Sequence, residues 1–80
     1  MPMRTYYFDT RDDDHLIKDD VGLEFPDLES VKTQAALSLA ELARDALPGS
    51  AKRKLAVEVR DETQPVLVAT LTFEAVLLVQ

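Results

Sequence analysis

Two prolines bracket the segment that most constrains this chain. Between Phe25-Pro26 and Leu47-Pro48, the residues Leu28, Val31, Ala35, Leu39, Leu42 and Ala46 step by 3, 4, 4, 3 and 4. That spacing lines one face of an α-helix. Asp27 stands at the N-cap position, and Glu29 puts negative charge in the first turn, where the helix dipole favours it. At the far end, Pro48 discourages helical geometry in Leu47, and Gly49 is a natural terminator. The pattern predicts a helix from residue 28 to 46 or 47, about 20 residues and roughly 30 Å long. Its apolar stripe has to be covered, so the rest of the chain must supply a face.

The flanking segments supply one. Residues 4–8 read as a strand rich in aromatics, with Tyr6 and Phe8 facing a core and Tyr7 outside, and residues 9–14 as a polar loop. A short return strand is expected at 16–18, with Gly22 in the left-handed position of a second turn, and residues 23–25 lead into the helix. After the helix, Leu55, Val57 and Val59 alternate with Ala56, Glu58 and Arg60. Residues 61–64 turn the chain, and Leu67, Ala69, Leu71 and Phe73 face opposite to Val66, Val68, Thr70 and Thr72. Both are period-two patterns of half-buried strands. The order is ββαββ. The economical fold is α+β, a two-layer domain with a four-stranded antiparallel sheet and one long helix across one face.

Eighty residues (1–80) make a single domain, and a chain of that size buries only roughly 60 to 65% of its unfolded surface. Apolar residues are 46% of the total, too many for a disordered chain. There is no cysteine, so neither a disulfide nor a thiolate metal knot can supplement the core. Packing or a partner must suffice.

Apolar surface is in excess. Ala36, Ala40, Ala43 and Leu47 form a second row about 100° round the helix from the first, more than one sheet face demands. Leu37 is expected on the exposed polar side of the same helix. The strand-compatible run 65–80 would be roughly 50 Å long if extended, whereas a globule of this size is about 30 Å across. Either the strand bends near Glu74-Ala75, or the segment Ala75, Val76, Leu77, Leu78 and Val79 projects as an apolar edge that seeks another chain, and the second is the expectation.

Several function classes are disfavoured. Residues 75–79 are the longest apolar run, far short of the about twenty residues of a membrane span, and the first residues lack the apolar core of a secretion signal, so a cytoplasmic home is expected. A net charge of -6 opposes nucleic-acid binding, with Lys52, Arg53 and Lys54 as the one basic cluster. Gly22 and Gly49 are the only glycines and make no phosphate-cradling loop.

His15 is the sole histidine, and no serine stands beside a visible base, so no enzymatic activity and no small-molecule substrate are expected. Nine carboxylates between Asp9 and Glu29, set against Arg11 and Lys18, leave a local charge of -7. Leu16 stands where a calcium loop needs an oxygen after Asp12 and Asp14, and that loop's glycine is missing, so a solvated acidic segment without metal or other cofactor is expected.

The runs TYYFDTRDDD, KDDVGLEFPDLESVKTQAALSLAELARDALP, KLAVEVRDE and VLVATLTFE resemble a family of small alphaproteobacterial proteins of about this length, classed as a domain of unknown function. That resemblance implies a single domain and no particular activity. The aromatic first strand, acidic turns, Phe25-Pro26-Asp27-Leu28 and the Ala-rich helix are also similar, locally, to antitoxins of the HicB type. Those place a third strand between the Phe25-Pro26-Asp27-Leu28 segment and the helix and carry a DNA-binding tail, whereas here Asp27 is expected to cap the helix directly.

Two functions follow as expectations. The first is a non-enzymatic interaction module forming a homodimer through the Ala36, Ala40, Ala43 and Leu47 flank or through residues 75–79. The second is an antitoxin-like inhibitor whose carboxylates cover a small basic partner protein.

Overall fold

The computed structural model describes residues 2–79; Gln80, the last residue of the strand-compatible run, lies outside the described residues, as does Met1. The elements run β1 (Arg4–Asp12), β2 (His15–Ile17), β3 (Leu23–Phe25), α1 (Leu28–Ala46), β4 (Lys52–Arg60) and β5 (Pro65–Glu74). All strand pairs are antiparallel, in the spatial order β2-β1-β4-β5, and β3 shares the outer side of β1 with β2. The chain is an α+β domain with its one helix packed on the sheet.

The helix begins and ends where local chemistry dictates. The Asp27 carboxylate accepts the Ser30 N–H at 2.8 Å, satisfying one donor of the first turn. At the other end the Leu47 N–H donates to the Ala43 carbonyl, Ser50 Oγ caps the Ala46 carbonyl at 2.9 Å, and Gly49 takes φ +85. Val31, Ala35 and Leu39 are buried against Leu55, Val57 and Val59 of β4 and Tyr6 of β1. Leu67, Ala69 and Leu71 of β5 complete this layer, as the alternation requires. Phe25 closes one end, with ring centroids 6.3 Å from Tyr6 and 5.8 Å from Phe8.

Several boundaries differ from the sequence reading. β1 runs on to Asp12, through residues expected to form a loop, and its turn is confined to Asp13 and Asp14, with Asp13 at φ 53. The charged residues of the extension are held from across the sheet: Arg11 by Glu58 at 2.8 Å and Asp12 by Arg53 at 2.6 Å. Side-chain partners distant in sequence override a poor local strand propensity. The second difference is β3, a short strand in a segment expected only to lead into the helix, which aligns Arg4, Thr5 and Tyr6 with Phe25, Glu24 and Leu23. The return strand is His15–Ile17, one residue earlier than expected.

The β4–β5 hairpin closes over residues 61–64 as expected. Asp61 Oδ1 accepts the N–H groups of Thr63 and Gln64 at 2.7 and 2.8 Å, and the Asp61 N–H donates to the Gln64 carbonyl. The register slips between Val59 and Arg60, which leaves Val66 as the extra residue of a bulge near the start of β5.

Candidate interaction surfaces

The acidic segment is largely consumed by the fold. Phe8 lies in the gap between the Tyr6–Leu23 and Thr10–Ile17 pairings, where neither β2 nor β3 meets the outer side of β1. Its N–H donates instead to Asp19 Oδ2 at 3.0 Å, while Asp19 Oδ1 accepts from Val21 and Gly22 at 2.9 and 3.1 Å. Burial pushes the Asp19 pKa upward, but the three N–H donors and the Arg60 charge outweigh it and hold the carboxyl below its ordinary value. Asp9, 7% exposed, accepts the Asp19 N–H at 2.9 Å and pairs with Arg60 Nε at 3.0 Å. Arg60 also donates to the Asp19 carbonyl and lies 4.5 Å over the Tyr7 ring.

These residues belong to the sheet face away from the helix. Along β1 and β4 that face carries two ion pairs in alternation, Asp9 with Arg60 and Arg11 with Glu58. Each carboxylate is diagonal to its own arginine and opposite the other carboxylate, so the arginines flank and compensate like charges that face one another across the strands. On the opposite face Arg53 Nη1 holds both oxygens of Asp12, and its other nitrogens reach Ser50 Oγ. The basic cluster is thus drawn into the fold at Arg53. Among the described residues no group of three or more His, Cys, Asp or Glu is placed to hold a metal ion. His15 is exposed and opposite Asp12 at the β1–β2 turn.

The expected contact residues divide. Ala43 and Leu47 pack partly against the protein's own core, whereas Ala36 and Ala40 are exposed. Leu37 is 57% exposed on the polar side. At the other end of the chain β5 stops at Glu74, and the Ala75 N–H donates to the Ala51 carbonyl at 2.8 Å. Beyond it Val76, Leu77, Leu78 and Val79 are 70, 90, 93 and 82% exposed. The described residues span 57 Å along their longest axis against 21 and 16 Å across.

The sequence reading also missed the outer edge of β5, together with Val68, which is 59% exposed on the sheet face away from the helix. The signal was present: residues 66–73 contain no charged residue and no proline, so nothing in that stretch guards an edge.

Fold and surface together define a small two-layer α+β domain with a carboxylate-plugged edge on one side of its sheet and, on the other, an open edge uncharged over residues 66–73. No helix among the described residues is long and apolar enough to cross a membrane. The chain belongs to a family described as a domain of unknown function, DUF6894, whose model matches residues 5–72. That match takes in the helix, β2, β3 and β4, all of β1 but Arg4 and all of β5 but Phe73 and Glu74, and residues 75–79 lie beyond it. No curated protein and no solved structure matches the chain.

Proposed function

We propose that this protein is a non-enzymatic interaction module that works as a homodimer, in a cytoplasmic setting. The observation that supports it is the apolar segment after β5, whose Val76, Leu77, Leu78 and Val79 are all at least 70% exposed. Four consecutive large apolar side chains in water are costly, each worth about 1.5–3 kcal/mol when buried. Light scattering at micromolar concentration tests the reading: twice the 8.9 kDa chain mass is expected, and a chain mass unchanged by concentration overturns it.

The rival reading is an inhibitor that covers a small basic protein. Asp14, Asp20 and Glu24, exposed around β2 and β3, favour it. Asp9, Asp12 and Asp19 do not, because their carboxylates are engaged with Arg60, Arg53 and the Phe8 N–H. Pull-down from cells that returns no small basic protein would remove it.

A further inference from the structure

The two edges of this sheet are built differently. On one side β1 is covered by β2 and β3, and the gap between them is filled by the Asp19 carboxylate. On the other side β5 is the last strand. Sheet edges are normally guarded by charges, prolines or bulges, because an open row of N–H and C=O groups templates another strand. Pro65 and the bulge guard only the beginning of β5, and Glu74 is its one charged residue.

The backbone direction of that edge can be read from one hydrogen bond. Ala75 donates its N–H to Ala51. In an antiparallel ladder inward and outward residues alternate, so Leu67, Ala69, Leu71 and Phe73 turn their backbone groups towards β4, and Val68, Thr70, Thr72 and Glu74 turn theirs outward. The outer row is therefore a regular, unbulged acceptor for a strand.

We propose that the occupant is β5 of a second copy of this chain, running antiparallel, with residues 75–79 continuing as strand along the partner's edge. This rests on the homodimer reading and specifies its geometry. Two identical antiparallel edges meet about a two-fold axis perpendicular to the sheet, which keeps the helices on one side and sets odd-numbered residues opposite odd, even opposite even. With Thr72 opposite its own symmetry mate, Leu77 lies against Leu67 of the second copy and Val76 against Val68. Both valines are then covered, at positions 70% and 59% exposed in the single chain.

Glu74 meets Thr70 rather than a second Glu74, so in joining two chains of net charge -6 the two glutamates of the seam are not set directly opposite one another. Each exposed Val or Leu represents roughly 60–120 Å² at about 25 cal/mol per Å². The four such side chains of each tail, with the backbone edge itself, bring the interface towards the ~1,200 Å² at which stable complexes begin. The helix flank offers less, because Ala43 and Leu47 are already turned onto their own core.

Sedimentation velocity over a range of concentrations on the full chain, Thr72→Pro and Ala40→Lys, with far-UV circular dichroism on each, tests this. The Thr72 N–H points outward, so proline there removes an edge donor without breaking the ladder to β4. Dimerisation weakened at least a hundredfold in Thr72→Pro and unchanged in Ala40→Lys is the expected result. A folded Thr72→Pro that dimerises as tightly as the parent overturns edge pairing while leaving the homodimer standing. A parent chain that is monomeric throughout overturns the homodimer itself. If Thr72→Pro does not fold, Thr72→Cys decides, since the chain has no other cysteine. Rapid disulfide-linked dimer on mild oxidation is expected for it and not for Ala40→Cys; the reverse outcome, or no link in a dimeric sample, overturns the proposal.

Discussion

The Asp19 carboxylate stands in for a strand: its Oδ2 accepts the Phe8 N–H at 3.0 Å, at the one place where neither β2 nor β3 reaches β1. A backbone donor in the middle of a sheet needs an acceptor, and a side chain 11 residues further on provides it. The same carboxylate bonds Val21 and Gly22, so a single group closes the edge and shapes the loop between the two short strands.

Asp19→Ala is therefore expected to destabilise the fold by about 1–3 kcal/mol, the cost of leaving partly buried donors unmade. Asp19→Asn, which keeps one acceptor oxygen, should fall between the two. Urea unfolding of the three proteins, read at the midpoint with the slope unchanged, checks the order.

Gly22 closes the same loop under two constraints. It holds φ +78, and a Cβ there would lie 2.8 Å from Thr5 Cγ2 and 2.9 Å from Tyr7 Cε1. Gly22→Ala must bear a left-handed backbone and displace both side chains, so a loss of about 1–3 kcal/mol is expected. Gly49, at φ +85 with open space around its Cα, bears the backbone part alone and should lose less on the same change. Thermal midpoints of the two variants compare them directly.

How much of this was legible depended on how far each signal reached along the chain. The helix was readable because Asp27, Glu29, Pro48 and Gly49 act within a turn of its ends. The projection of residues 75–79 followed from strand length against domain size. The extension of β1 was not readable, because Asp12 and Arg53 are 41 residues apart and only the finished sheet brings them together. Asp19 carried a partial signal, a carboxylate three residues before a glycine, which marks a turn but does not reveal that its other oxygen serves Phe8. The second alanine row divided because its outer turns, Ala43 and Leu47, reach the protein's own core while Ala36 and Ala40 do not.

The two ion pairs of the open face differ in how far they are withdrawn from water. The Asp9 side chain is 10% exposed against Arg60, whereas Arg11 and Glu58 are 39% and 35% exposed. Double-mutant cycles should give a larger coupling for Asp9 with Arg60, where charge-assisted hydrogen bonds involve a nearly buried carboxylate, than for Arg11 with Glu58, a more exposed pair. Raising the salt concentration should reduce the second coupling more than the first.

Leu55 and Leu37 make a matched pair for the core. Leu55 is fully buried between the helix and the strands, and Leu37 is 57% exposed. Leu55→Ala should cost about 2–5 kcal/mol, lost burial plus a cavity. That is a large share of the stability of a domain this small, so the variant is expected to be partly unfolded at 37 °C. Leu37→Ala should stay within about 0.5 kcal/mol. Denaturant titration separates the two outcomes.

Acid should unfold this protein through its turn carboxylates. Asp19, Asp27 and Asp61 all have pKa values below the ordinary carboxylate range. The Ser30 N–H is the largest influence on Asp27, the Thr63 N–H is the largest on Asp61, and on Asp19 the bonds from Phe8, Val21 and Gly22 outweigh the cost of burial. A carboxylate whose pKa is lower folded than unfolded binds fewer protons in the native state, so its contribution is complete above the unfolded value of about 3.9. As pH falls through that value and then through the lower folded values, the unfolded chain takes up protons first, and stability drains away. Urea midpoints should therefore be insensitive to these groups between pH 7 and 5 and drop progressively below about pH 4. Asp27→Asn, which can still cap the helix without charge, should flatten part of that drop, and an undiminished slope in that variant would remove Asp27 from the set.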